Sequence, residues 1–245
     1  MNLAIDIGNT LSKMAVFRDG DIAEINRFSS LSVNTIESIF NKYPQIEKTI
    51  VSSVKNADPD VMNCIKSKSR IFIEFNETTK IPIENLYQSK STLGKDRLAS
   101  AVGANNILPN SNVLVIDMGT AITIDFVNSK NQYLGGNISP GLETRFKALH
   151  HFTGKLPLLQ KNNQFEFMAK NTEDAIISGV QKGIIYEIDG YINDLKENYD
   201  DLKVILTGGD AIFFDKKLKN TIFVNSNLNF IGLNIILETN TTQWP

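Results

Sequence analysis

VLVIDMGTAITIDFV, residues 113–127, repeats the plan of the chain's opening. An apolar run ends at Asp117, Gly119 and Thr120 interrupt it, and a second apolar run follows. At the start of the chain an apolar run ends at Asp6, Gly8-Asn9-Thr10 breaks it, and residues 11–17 resume it. Short apolar runs bounded by turn residues read as buried strands. Each device is therefore a strand, a turn and a returning strand. Asp6 and Asp117 stand 111 positions apart. The recurrence points to an internal duplication, and so to two similar α/β halves, 1–111 and 112–245, facing one cleft.

The stretches between the two devices fit that plan. Asp19-Gly20-Asp21 is a turn signal, with a third strand expected over 22–28. Helical patterns over 33–41 and 58–67 alternate with extended ones over 49–54 and 70–75. Beyond 127, a polar turn at 128–132 leads to an extended segment that reaches Gly135-Gly136. Ile177, Val180, Ile184, Ile188, Ile192 and Leu195 form one apolar stripe, which predicts a long helix after Asn171-Thr172. Gly179 and Gly183 share nearly one face of it and would admit a close neighbour. A short strand over 204–206 stops at Thr207-Gly208-Gly209-Asp210, and residues 151–170 read as a polar surface loop.

Composition narrows the function. The chain has 245 residues, 42% of them hydrophobic and 21% charged, with a formal charge of −2. That balance gives no reason to expect nucleic acid or an anionic membrane as partner. A single cysteine, Cys64, excludes an internal disulfide and argues against a thiolate zinc site. The start has no basic flank before its apolar run, and no apolar run reaches the ~20 residues of a membrane span. The expectation is a cytoplasmic protein.

The Asp-x-Gly turns carry the chemistry. A glycine there lets a ligand approach the main chain, and successive N–H groups of a tight turn make a concave anion site. Thr10 adds a hydroxyl, Lys13 a mobile cation, and Asp6 a carboxylate able to hold hydrated Mg²⁺. A plain hairpin would use the same residues to satisfy turn amides. Two copies shift the balance toward phosphate binding. Neither a Walker loop nor a G-x-G-x-x-G opening a helix occurs, and His150-His151 are adjacent, which does not suit a helical metal pair.

Five motifs occur in order: DIGNT at 6–10, GKDR at 94–97, DMGTAITID at 117–125, GGNISPG at 135–141 and NTEDAIISG at 171–179. Together they resemble the type III pantothenate kinases, within the superfamily of acetate kinases, sugar kinases, Hsp70 and actin. The resemblance implies two ribonuclease H-like halves, a duplicated actin-like ATPase fold with its site in the cleft between them. It implies phosphorylation of pantothenate by ATP, the first step toward coenzyme A, with a divalent metal, K⁺ or NH₄⁺, and a homodimer. Matched motif by motif, Asp6, Ile7, Gly8, Asn9, Thr10, Leu11, Ser12 and Lys13 form the ATP phosphate loop, with Thr120 the second phosphate contact. Asp6 would hold Mg²⁺ through water and Asp117 the monovalent cation. Tyr87, Gly94, Lys95, Asp96, Arg97 and Thr172 would line the pantothenate pocket, with Asp96 the general base.

Lys95 departs from the family, which usually has a small residue there. It could reach a substrate carboxylate, pair with Asp96, or point to solvent. Asp96 itself also reads as a helix cap, and Asn171 or Thr172 as another. Gly135-Gly136 and Pro140-Gly141 fit close backbone approach or plain turns. Two other functions are considered: a kinase of another small alcohol in the superfamily, and a non-catalytic regulatory accessory factor of the same family. The GKDR element argues against the first, and the charge and retained aspartates against the second.

Overall fold

Leu3, Ile5 and Ile7 alternate with Asn2, Ala4 and Asp6 along β1 (Asn2–Ile7), so the strand offers an apolar set to one face of its sheet and a mixed set to the other. The computed structural model describes residues 1–8, 11–54 and 57–241. β2 (Ser12–Arg18) and β3 (Asp21–Phe28) follow, joined by Asp19 and Gly20 at positive φ. Next come α1 (Val33–Lys42), β4 (Lys48–Ser53), α2 (Pro59–Lys68) and β5 (Ile71–Glu74). Both helices start at side-chain caps: Thr35 N–H donates to Ser32 Oγ, and Asp60 N–H to Asp58. The sheet runs β3-β2-β1-β4-β5, with β1 antiparallel to β2 and parallel to β4. Leu3, Ile5, Ile7, Met14 and Val16 pack on Ile36, Phe40, Val61 and Ile65 of the two helices.

β6 (Glu84–Asn85) and α3 (Lys95–Ile107) precede the second unit. There β7 (Val113–Met118), β8 (Ala121–Val127) and β9 (Gln132–Pro140) lead into α4 (Leu142–Phe152) and α5 (Thr172–Lys196). β10 (Lys203–Thr207), α6 (Ala211–Asp215) and β11 (Phe223–Val224) follow, then α7 (Leu228–Thr241). Within this unit the strands run β9-β8-β7-β10-β11, with β7 antiparallel to β8 and parallel to β10. Order and direction repeat those of the first sheet, so the duplication read from the two Asp turns extends to five strands. Leu114, Ile116 and Met118 of β7 form a core with Phe146 of α4 and Ile184, Ile188 and Ile192 of α5.

The compact units are Met1–Ile107 together with the segment from Asn227, and Leu108–Ser226. One break between the units falls after Ile107. The C-terminal segment differs: residues expected in the 112–245 half belong with the first unit. The cause is α7, which lies against α3. A Cβ on Gly232 would stand 1.7 Å from the Ala99 carbonyl oxygen, and one on Gly103 2.4 Å from that of Leu228. Only glycine allows this approach. Asn2 Nδ2 donates to Asn234 Oδ1 at 2.8 Å, and Lys48 pairs with Glu238 at 2.9 Å, fixing α7 to the first sheet. The small residues behind GKDR are thus a helix–helix contact.

The glycines of the GGNISPG motif meet backbone of their own unit. A Cβ on Gly136 would fall 1.9 Å from the Ile124 carbonyl oxygen. Gly179, by contrast, has no neighbour within 4 Å of such a Cβ. No described helix is long and apolar enough to cross a membrane.

Candidate active site

Asp6 sits at the end of β1, where Gly8 N–H donates to the Leu11 carbonyl at 3.1 Å and closes the turn. A Cβ on Gly8 would approach that carbonyl oxygen to 2.8 Å, so the turn itself requires glycine. Asn9 and Thr10, expected phosphate contacts, lie outside the described residues. Ile7 is buried in the core, which leaves its main chain to any ligand. Ser12 is also buried, whereas Leu11 is exposed. Lys13 lies opposite Asp6 on β2, and Ser52 opposite it on β4, so all three side chains share one face of the sheet. From α7, Asn229 Nδ2 donates to Asp6 Oδ2 at 3.4 Å. Burial and then the nearby Asp96 charge raise the Asp6 pKa to about 6, with Lys13 pulling the other way.

Asp96 lies in the first turn of α3, where the Arg97 N–H donates to its carboxylate at 2.9 Å. It is a first-turn acid rather than the residue before the helix. A Cβ on Gly94 would come within 2.6 Å of Asp96 Oδ1, so Gly94 makes room for the carboxylate. Arg97 is 5% exposed, and its guanidinium lies 5.7 Å from the centre of the Tyr87 ring. Stacking of this kind holds a planar cation in place. Tyr87, Gly94, Asp96 and Arg97 are therefore brought together. Lys95 lines a cavity of about 270 Å³ with Phe75, Lys80, Lys90, Leu93 and Leu98, whose walls include neither Asp96 nor Arg97. Among the ion pairs of the described residues none joins Lys95 to Asp96.

In the second unit Asp117 ends β7 as Asp6 ends β1. Gly208, at φ +92, lies so close that a Cβ would stand 2.5 Å from Asp117 Oδ1 and 2.5 Å from the Met118 nitrogen. Gly141 N–H donates to the Thr120 carbonyl at 3.0 Å, and Thr144 Oγ1 donates to it at 2.7 Å. Thr120 is exposed. Asp117 offers carboxylate oxygen, the donor type hard cations take. Thr172 is the first residue of α5, behind Asn171, whose Oδ1 accepts the Asp174 N–H at 2.9 Å. It is exposed at a helix start, where main-chain N–H groups are open to an anion.

Asn229 and Ser52 were not foreseen. Asn229 lies in a helix without a polar face, and Ser52 looks like an ordinary strand residue. Asn229 Oδ1 is buried, with no partner among the described residues. A raised carboxylate, a second one near it and an orphaned acceptor fit Mg²⁺, which takes few protein oxygens and keeps several waters. Among the described residues no group of three or more His, Cys, Asp or Glu could cage a metal.

Comparisons with known proteins identify the family and the fold. The family model described as type III pantothenate kinase matches residues 2–194. A type III pantothenate kinase from Bacteroides fragilis (strain YCH46) is 46% identical over 240 residues, 98% of each chain. Among solved structures, a protein named as a Baf family transcriptional activator from Campylobacter jejuni is similar at TM-score 0.65 and 24% identity, covering 98% of this chain and 99% of that one. One named as a 2-dehydro-3-deoxygalactonokinase from Sinorhizobium meliloti is similar at TM-score 0.59 and 12% identity, covering 98% and 99%. The structural likenesses bear on the fold alone, which is the duplicated actin-like ATPase fold expected from the motifs.

Proposed function

Because this chain belongs to the type III pantothenate kinase family, we propose the following roles for its residues in the family's reaction. The chain phosphorylates pantothenate from ATP, using a divalent metal, at the entry to coenzyme A synthesis. Asp96 accepts the proton of the pantothenate primary hydroxyl as that oxygen attacks the γ-phosphorus of ATP. The observation that carries this role is the Asp96 carboxylate itself, given room by Gly94 and close enough to Asp6 to raise its pKa.

Phosphoryl transfer needs alignment and charge neutralisation more than covalent chemistry. The turn from Asp6 to Lys13 and Thr120 hold the ATP phosphates. Tyr87, Arg97 and Thr172 hold pantothenate, with the Arg97 fork suited to a substrate oxygen or carboxylate. Asp6, with Asn229 beside it, would hold Mg²⁺ through water. When bound, Mg²⁺ neutralises charge on the phosphates. Family membership also supports K⁺ or NH₄⁺ at Asp117, a homodimer and a cytoplasmic location.

The test is ADP formation with and without pantothenate, in K⁺ and then in Na⁺. The expected result is turnover that needs pantothenate and K⁺. Turnover indifferent to pantothenate sinks the reading, and indifference to the cation removes the role of Asp117.

A further inference from the structure

Lys95 is the letter of the GKDR element that the kinase reading leaves without a task. It opens α3 and lines a cavity of about 270 Å³ inside the first unit. Lys80 and Lys90, which flank β6 in the sequence, line the same cavity. Among the described residues none of the three lysines joins an ion pair. Glu77 is the one acid in the walls, so three lysines against one glutamate leave two positive charges.

The same walls carry apolar surface. Phe75 is 1% exposed and Leu93 8% exposed, and Leu98 joins them from α3. A concave space that sets a few charged groups against apolar side chains has the make-up of a small-molecule site. Lysines on an ordinary solvated face are spread over convex surface; here three share one hollow.

The charges decide what fits. Like charges gathered around a small space repel one another, and an anion between them relieves that repulsion. Lysine brings a point charge on a flexible stem, which suits phosphate or carboxylate without a fixed geometry. Water satisfies the ammonium groups but gains nothing from Phe75 and Leu93. A ligand with both an anionic head and an apolar body gains from both walls.

We propose that this cavity is a second ligand site, which takes a small organic dianion: phosphate or carboxylate groups on a short apolar body. Lys80, Lys90 and Lys95 hold the charge, and Phe75, Leu93 and Leu98 hold the body. Lys95 is then a binding residue for that anion and not for pantothenate. The proposal goes beyond the kinase reading and does not depend on it, since the walls include neither Asp96 nor Arg97.

The test is calorimetry on the full chain at pH 8, with pantothenate present throughout. The probes are phenyl phosphate and phthalate, two dianions built on one ring, which separate the phosphate source from the carboxylate source. The preferred probe should bind at least about tenfold more tightly than benzyl alcohol, which lacks the charge, or inorganic phosphate, which lacks the ring. Lys80→Met, Lys90→Met and Lys95→Met should each weaken it about five- to tenfold, the scale of one charge-assisted hydrogen bond. Lys95→Arg keeps the charge and should stay within about twofold of wild type. Lys130→Met, exposed in the second unit, controls for net charge and should change nothing. No heat from either dianion at millimolar concentration overturns the proposal. So does equal binding of benzyl alcohol or inorganic phosphate, or unchanged affinity in the three methionine variants of the cavity. A loss in Lys130→Met as large as in Lys95→Met, or in Lys95→Arg as large as in Lys95→Met, overturns it too. Turnover is not read at any point, so failure here is distinct from failure of the kinase reading.

Discussion

Two strands of this chain carry an aspartate near their ends with a glycine two positions on, and the fold surrounds the two carboxylates with different materials. Asp6 is ringed by side chains: Lys13 and Ser52 from neighbouring strands, Asn229 from α7, and the charge of Asp96. Asp117 is crowded by main chain, with Gly208 pressed against both its carboxylate and the next peptide nitrogen. Duplication preserved the sheet and not what encloses it. A wall of side chains can tune a charge; a wall of backbone fixes a position and tolerates little change.

The sharpest way to probe the first wall is Asp96→Asn. Loss of a general base typically costs ~10²–10⁴-fold in turnover, while ADP binding should stay near wild type. Steady-state rates and calorimetry with ADP check both, and near-normal turnover would remove Asp96 from the chemistry.

Breaking the backbone wall should show in stability instead. Gly208→Ala places a methyl in contact with Asp117 and Met118 at φ +92, and should cost roughly 3 kcal/mol or more. Gly20 has the same φ of +92 and no neighbour within 4 Å, so Gly20→Ala should cost only about 1 kcal/mol. Urea denaturation measures the difference, which isolates crowding from backbone strain. Equal costs would mean that Asp117 is not packed as tightly as its neighbours imply.

Asp6→Asn tests the tuned charge, and its sign can be worked out. The Asp6 pKa is raised from 3.8 to about 6 in the fold. The protonated carboxyl therefore favours the folded state below pH 4, and that contribution is lost as pH rises through 6. At ~1.4 kcal/mol per pH unit this amounts to about 3 kcal/mol. Metal-free Asp6→Asn should then exceed wild type in stability by about 2–3 kcal/mol at pH 8 and match it at pH 4. Urea melts at the two pH values decide. A variant less stable at pH 8 would show that Asp6 is held by favourable partners rather than strained by burial.

The smallest effect belongs to Lys95→Ala. Its cavity shares no wall with Asp96 or Arg97, so kcat should change by no more than about twofold, as for surface substitutions generally. A larger fall would bring Lys95 back to the substrate.

Local patterns made the sheets legible. Short apolar runs in 2–7 and 113–118, bounded by turn residues, marked the strands, and the stripe from Ile177 to Leu195 marked α5. As isolated sequence Asp96 reads as a helix cap, and its proposed role as base comes from the GKDR element and the family resemblance. The partners of Asp6 were not legible. In α7 apolar residues run all round, so Leu228, Phe230, Leu233 and Ile236 announce no face, and Asn229 among them carries no signal. Ser52 is a small residue in a place where small residues pack well. The division of the chain failed at the same point, because a helix buried on several sides gives no hint of which unit it joins. The function of Gly94 was also hidden: the space it leaves for Asp96 exists only once α3 has formed.

The place of α7 has a consequence for how the protein is made. The helix that carries Asn229 to Asp6 leaves the ribosome only after all of residues 108–226. At ~5–20 residues per second, the first unit waits on the order of ten seconds for its last helix. During that interval the second unit can fold, while the α3 surface around Ala99 and Gly103 stays bare. Order of synthesis and order of completion therefore differ: the unit that holds Asp6 is completed only after the one that follows it has been made, and the aspartate at residue 6 gains its asparagine neighbour late.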